Sequence, residues 1–239
     1  MKKLFIGDGA RRFGNMFPGY DVVFLPEDER LGKVVRSHAD TLVFGAGGAA
    51  LMNREYAARL GIPERPVGPG KGIFTSEDFP HDAYPDDVRF NALALGGKLF
   101  GRLESLSPDV LRLAEISGLT PVNTRQGYAR CAVLPLESAG KAVTADKGMA
   151  KILTENGINV LLTQPGGIAL DGCDYGFIGG ASVVDEEART VFFFGKCPAE
   201  VREFVMRAGY IVVDNDEPLT DLGGGIVLPD FPARYDCAG

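Results

Sequence analysis

Three stretches of the chain share one grammar. In the first, DVRFNALAL (87–95) is followed by GGKLFG, then SPDVLRLAEISG, then LTPVNT. In the second, GYARCAVLPL (127–136) is followed by KAVTA, DKGMAKILTENG and INVLLTQ. In the third, YGFIGGASVV (175–184) is followed by RTVFFFG, CPAEVREFVMRAG and YIVVDN. Each reads strand, strand, helix, glycine, strand, and a repeated unit of this kind dictates the fold more than any single motif does. The N-terminal third carries two weaker copies. LFIGDG precedes a short helix at 10–17, Gly19 and DVVFLP; HADTLVFG precedes a helix near 53–60, Gly61 and the proline-broken PERPVG.

The helices have chemical grounds. Ser107-Pro108 and Cys197-Pro198 place proline at a first helical position, where its missing N–H costs nothing. Leu111, Leu113, Ala114 and Ile116 make one apolar side, and Val201, Phe204, Val205 and Ala208 recur at helical spacing. Thr144 and Asp146 read as helix caps. Gly19, Gly61, Gly118, Gly157 and Gly209 then end each helix in the left-handed conformation. Phe192, Phe193 and Phe194 read as packing. Five such units predict a single α/β domain over 1–239, closed as a pseudo-fivefold α/β propeller of strand-strand-helix-strand units around a central channel. The alternative is an open, doubly wound α/β sheet, against which the two tight strands before each helix count.

Composition limits the function. The 239 residues suffice for a sizeable core. With 25 basic against 32 acidic residues the formal charge is −7, which argues against a sequence-independent nucleic-acid binder. The N-terminus lacks the apolar stretch of a secretory signal, and no run of ~18 apolar residues predicts a membrane span. Four widely spaced cysteines (131, 173, 197, 237) predict reduced thiols and a cytoplasmic protein, with no metal site and no cofactor. The partner expected is a small polar molecule, with no nucleic acid and no membrane; the sequence leaves the oligomeric state open.

Several motifs carry a resemblance: SHADTLV (37–43), QGYARC (126–131), TADKGMAKIL (144–153), PGGIALDGCDYGFIGGAS (165–182), and FFFG (192–195) followed by EPLTDLGGGIVL (217–228). Together they cover most of the chain, and it resembles the pentein fold of the guanidino-modifying enzymes. These include arginine and agmatine deiminases, amidinotransferases and dimethylarginine hydrolases, and the fold also serves a non-enzymatic ribosome anti-association factor. Within it the chain looks like a bacterial family whose domain is of unknown function. In the enzymes a glycine run enters the last strand and presents a nucleophilic cysteine. Here Ile226, Val227 and Leu228 follow the run, and Cys237 lies further on in a tail expected to be mobile. Where those enzymes have a His-x-Asp pair, this chain has Gly172 and Asp174. Two members of the usual triad are therefore missing, and the usual thiolate attack on a guanidinium carbon is not expected.

The remaining polar residues of the motifs are the site candidates. If residues 127–133 form a strand, Cys131 shares a face with Gly127, Ala129 and Val133, so its thiol either faces the channel or packs as a small core residue. His38 and Asp40 would share a strand face, or else Ser37 and Asp40 decorate a loop. Catalysis, if present, would use Cys131 with His38 as its base, in hydrolysis or group transfer at a carbon–nitrogen bond. Asp40, Asp174 and Asp221 are the carboxylates for a guanidinium or ammonium ligand, with Tyr175, Asn91 and Gln126 as further binding candidates. A non-catalytic interaction module of the same fold is the alternative, and its mark would be an exposed apolar patch. A third reading uses Gly45-x-Gly47-x-x-Ala50 as a dinucleotide-binding turn, although Glu64, the acidic residue at the right spacing, sits between two prolines.

Overall fold

The computed structural model describes residues 1–230. Strand β1 (Lys2–Gly7) leads through a 3-10 helix, Asp8–Met16, to β2 (Tyr20–Leu25). A helical turn α1 (Ala39–Leu42) opens the next unit, followed by β3 (Val43–Ala46), β4 (Ala49–Asn53), α2 (Arg54–Arg59) and β5 (Gly72–Ser76). The third unit holds β6 (Leu93–Leu95), β7 (Lys98–Gly101), α3 (Pro108–Ile116) and β8 (Thr120–Asn123). The fourth opens on the turn α4 (Ala129–Ala132) and continues as β9 (Val133–Leu136), β10 (Lys141–Thr144), α5 (Lys147–Glu155) and β11 (Asn159–Leu162). The fifth holds β12 (Ser182–Asp185), β13 (Thr190–Phe193), α6 (Ala199–Arg207) and β14 (Ile211–Val213), and β15 (Gly225–Leu228) ends the described chain.

Five three-stranded sheets result, each with an antiparallel pair, a hairpin in all but the first, and a third strand parallel to the middle one. The first sheet takes its strands from both ends of the chain: β15 pairs antiparallel with β1, from Lys3↔Leu228 to Ile6↔Gly225. This explains why the N-terminal copy looks weak in sequence. Its missing first strand lies more than 200 residues away.

The core lies between the sheets. Each middle strand is buried on both faces and sends alternate residues to two neighbours. Phe5 of β1 packs with Met52 of β4, while Leu4 and Ile6 pack with Phe192 and Phe194 of the fifth unit. Leu51 of β4 meets Leu99 of β7; Phe100 meets Ala142 of β10; Val143 meets Val191 and Phe193 of β13. Five apolar clusters thus join the five units in a closed ring, which is why the middle strands read as unbroken apolar runs. The open-sheet alternative is excluded by this closure.

The helix signals hold in most particulars. Ser107 caps α3 with Pro108 in its first turn, Asn53 accepts from the Tyr56 N–H at 3.0 Å, and Asp146 accepts from Met149 N–H at 2.8 Å. Thr144 instead donates to the Ala132 carbonyl at 2.7 Å. Pro198 is the cap residue of α6, one position earlier than expected. The five helix-ending glycines have φ between 70° and 86°. Three expectations fail. Residues 63–68 are not the third strand of the second unit: Pro63, Pro66 and Pro69 lack ladder donors, and pairing with β4 begins only at Gly72. His38-Asp40 and Ala129-Cys131 are not strands but helical turns, with Leu42 N–H bonded to His38 O at 3.1 Å and Ala132 N–H to Tyr128 O at 2.9 Å. Small, helix-favouring alanines, themselves buried, occupy these turns. Finally, Gly47-Gly48 is the hairpin between antiparallel β3 and β4, with φ of 59° and 82°. A dinucleotide fingerprint needs a helix N-terminus there, so that reading is lost. Among the described residues no helix is long and apolar enough to cross a membrane.

Candidate functional site

The starts of the first strands of all five units are tied to one another by hydrogen bonds. Asp40, before β3, donates its N–H to Gly223 O at 3.0 Å. Leu222 and Gly224, before β15, donate to Gly180 O at 3.0 and 2.6 Å, and Gly180, before β12, donates to Cys131 O at 3.1 Å. Asn91, before β6, donates from Nδ2 to Cys131 Sγ at 3.0 Å and accepts from Arg130 N–H at 2.8 Å. Backbones approach this closely because glycine stands at the meeting points. A Cβ on Gly223 would lie 2.3 Å from His38 Cα, and one on Gly180 would lie 2.0 Å from Asp221 Oδ1. The triple glycine before the last strand is therefore a packing point.

The side chains gathered there are almost wholly buried: His38 is 6% exposed, Asp40 1%, Asn91 0%, Cys131 3% and Asp221 2%. Asp221 is spent on backbone: its Oδ2 accepts from Phe177 N–H at 2.8 Å and its Oδ1 from Gly223 N–H at 3.0 Å, with His38 Nδ1 3.9 Å from Oδ1. Asp40 is different. Its Oδ2 is buried without a hydrogen-bond partner. Burial pushes its pKa up to about 6; His38 pulls it down, Asp221 adds to the rise, and the Cys131 thiol and Arg130 pull it down. Burial, with the charges of Asp40 and Asp221, pushes the Cys131 thiol well above its usual range, so it stays neutral. A neutral thiol is a poor nucleophile. Among the described residues no three His, Cys, Asp or Glu side chains are grouped to hold a metal ion.

Sequence reasoning thus brought together His38, Asp40, Asn91, Cys131 and Asp221. It misplaced three others. Asp174 and Tyr175 are exposed at the surface, because the chain closes on Asp221 through Gly176 and Phe177 and leaves the preceding turn outside. Gln126 braces a helix cap, donating to Asp146 Oδ2 at 2.8 Å and accepting from Tyr128 N–H at 3.1 Å. Cys237 lies outside the described residues. Two participants were missed. Arg130 points its guanidinium into the channel, towards the carbonyls of Val133, Gly179 and Gly225 at 3.3–3.5 Å. The Tyr128 hydroxyl donates to Asp87, whose other oxygen is buried without a partner. Tyr128 also stands in a row with Tyr84 and Phe177, at centroid distances of 5.8 and 6.4 Å. A lone arginine in the otherwise apolar ARCAVLPL was the signal available for the first.

A model of a family of unknown function, DUF6873, matches residues 16–226. The chain belongs to the DUF6873 family. No curated protein matches the sequence of this DUF6873 chain. Solved structures do match its fold. A dimethylarginine dimethylaminohydrolase, DDAH from Pseudomonas aeruginosa, in a cysteine-to-serine form complexed with citrulline, aligns with a TM-score of 0.55 at 13% identity, over 95% of this chain and 98% of that one. ArgZ, an arginine dihydrolase of Cyanobacteria, aligns with a TM-score of 0.53 at 12% identity, over 96% of this chain but 40% of ArgZ. Its N-terminal domain bound to substrate aligns at 0.54 and 10% identity, over 90% and 92%. With five three-stranded sheets in a ring, the DUF6873 chain has the pentein fold of these guanidino-modifying enzymes.

Proposed function

We propose that this protein binds a small cationic guanidino or amino compound at Asp40, where the five first strands converge. The observation that carries this reading is the Asp40 carboxylate: buried, with one oxygen unpartnered. An orphaned buried acceptor is costly, and a guanidinium or ammonium is the group that best satisfies a carboxylate. The aromatic row of Tyr84, Tyr128 and Phe177 offers ring faces that suit a cation. The solved neighbours add support of a general kind, since one was captured with citrulline and another with its substrate. The ligand enters when the Phe177 N–H leaves Asp221 and the 176–180 segment swings away. Asp40 is then the binding carboxylate, and Asp221 holds the segment in the closed state.

Attack by Cys131 with His38 as base is disfavoured in the closed state, because the thiol is held neutral. The primary role is therefore ligand binding rather than thiolate hydrolysis or amidino transfer. A thermal-shift panel of arginine, agmatine, methylated arginines, other amino acids and nucleotides tests this. A ligand at about 100 times its dissociation constant stabilises a fold by roughly 2.7 kcal/mol. The expected result is a shift with a guanidino or amino compound that Asp40→Asn abolishes and Asp174→Asn retains. No shift from any member, or a shift that survives Asp40→Asn, overturns the reading. Turnover lost in Cys131→Ser would restore thiol chemistry to the site.

A further inference from the structure

The opposite end of the channel, where the hairpins turn, holds a cavity of about 610 Å³. Its walls are mostly apolar, with Leu93, Leu95, Pro135 and Ile226 among them. That volume suits a small organic molecule. Arg130 reaches it from the far side of the central cluster. The guanidinium has no carboxylate within ion-pair distance among the described residues, and only long bonds to three carbonyls hold it in place. Lys71, exposed at the rim, has no ion pair among the described residues either.

The acidic groups that share this cavity are already engaged. Both oxygens of Glu137 accept from Gly96 N–H, at 3.1 and 2.9 Å. Asp185 takes Lys2, the Tyr20 hydroxyl and the Ala188 N–H. Glu186 takes the N–H groups of Glu137 and Ser138 and the hydroxyl of Tyr210, and Glu187 lies 3.3 Å from Lys2. Lys2 is thus neutralised, and Arg130 and Lys71 are the lining cations with no ion pair among the described residues, whereas Glu137 and Glu186 keep their charge and make the rim acidic.

We infer that this cavity is a binding site for a small organic carboxylate, seated with its carboxylate on Arg130 and its apolar body along the first strands. A planar guanidinium pairs a carboxylate through two parallel hydrogen bonds, which the long bonds to carbonyls leave it able to form. A tetrahedral oxyanion such as phosphate has no apolar body to place against Leu93 and Ile226, and its higher charge meets the acidic rim. Asp40 does not line this cavity, but its carboxylate and the Arg130 guanidinium act on each other electrostatically, so Lys71 at the exposed rim is the residue that sets this site apart from the cation site.

The test is calorimetric titration of the whole protein with para-bromobenzoate and, separately, with inorganic phosphate. A crystal soaked in the bromo compound locates the bromine by its anomalous signal. The expected result is binding of para-bromobenzoate with bromine density beside Leu93 or Ile226, and no measurable binding of phosphate. Arg130→Met is expected to weaken binding about tenfold or more, because a charge-assisted hydrogen bond is lost. Since a buried variant can fail to fold, Lys71→Glu at the exposed rim is the second arm, with a loss of roughly fivefold. No binding of para-bromobenzoate, equal binding of phosphate, or unchanged binding in Lys71→Glu would overturn the inference.

Discussion

The folded protein holds the Asp40 carboxyl near a pKa of about 6, against an ordinary aspartate value of 3.8. Between those values the folded chain binds a proton that the unfolded chain has released. The stability tied to this group is therefore present below the ordinary value and is lost as pH rises through about 6. Asp40→Asn removes the penalty of a buried charge. It should stabilise the protein at about pH 8 by about 1–3 kcal/mol more than at about pH 4, in urea unfolding at the two pH values. An equal effect at both would contradict the assignment. The thiols give a second residue-scale expectation. Cys131 and Cys197 are buried, and burial pushes Cys197 up to about 12, whereas Cys173 is exposed. Alkylation of the native protein followed by peptide mass spectrometry should label Cys173 before Cys131 and Cys197, and Cys131 only on unfolding. Rapid labelling of Cys131 at neutral pH would show that its surroundings are not as dry as the closed cluster implies.

At the scale of the elements, much was legible in the sequence because helix chemistry is local. Ser107-Pro108, Asp146 and the five glycines mark helix ends by hydrogen bonds and φ values that need no distant partner. The inner strand starts were not legible. HADTL and ARCA look like strand entries by alternation, yet both form helical turns because partners from other units set their course: Gly223 for Asp40 and Asn91 for Arg130. Asp174 misled for the same reason. Its neighbours in sequence are the right ones, but the Gly176–Phe177 clasp on Asp221 decides which residues enter the cluster, and that clasp spans 44 residues. The glycine cradle gives an element-scale prediction. Gly180→Ala drives a methyl onto Asp221, and Gly223→Ala adds a side chain at φ 79° against His38. Each should cost about 3 kcal/mol or more in chemical unfolding. Ser107→Ala, which removes only a cap, should cost about 1 kcal/mol. If the cap substitution proved as damaging as the glycine ones, close backbone approach would not be what holds the cluster.

Across the whole molecule the two ends of the described chain meet in one sheet, and apolar clusters link every unit to the next. Met1 and Asp230 form an ion pair. A ring of this kind has no privileged starting point. Joining Asp230 to Met1 with a short linker and reopening the chain between Pro69 and Gly70, both exposed, should preserve the fold. Far-ultraviolet circular dichroism and a cooperative melt check this, and loss of cooperative unfolding would mean that the present order of strands is needed to close the ring. The ring also gives the channel two ends of unlike chemistry. One end gathers Asp40, His38, Cys131 and Asp221; the other opens on Arg130 and Lys71, with the Arg130 guanidinium between them.

Binding at Asp40 is the central claim, and its pH dependence tests it most directly. A cation prefers the ionised carboxylate, so its affinity should fall by about tenfold for each pH unit below Asp40's pKa of about 6. The measurement is a calorimetric titration with agmatine, which stays cationic throughout, at about pH 7.5 and about pH 5, on the wild type and Asp40→Asn. The account predicts binding at the higher pH, clear weakening at the lower, and none in Asp40→Asn at either. Binding that ignores pH and survives the substitution would place the ligand elsewhere, and no binding at all would refute the site.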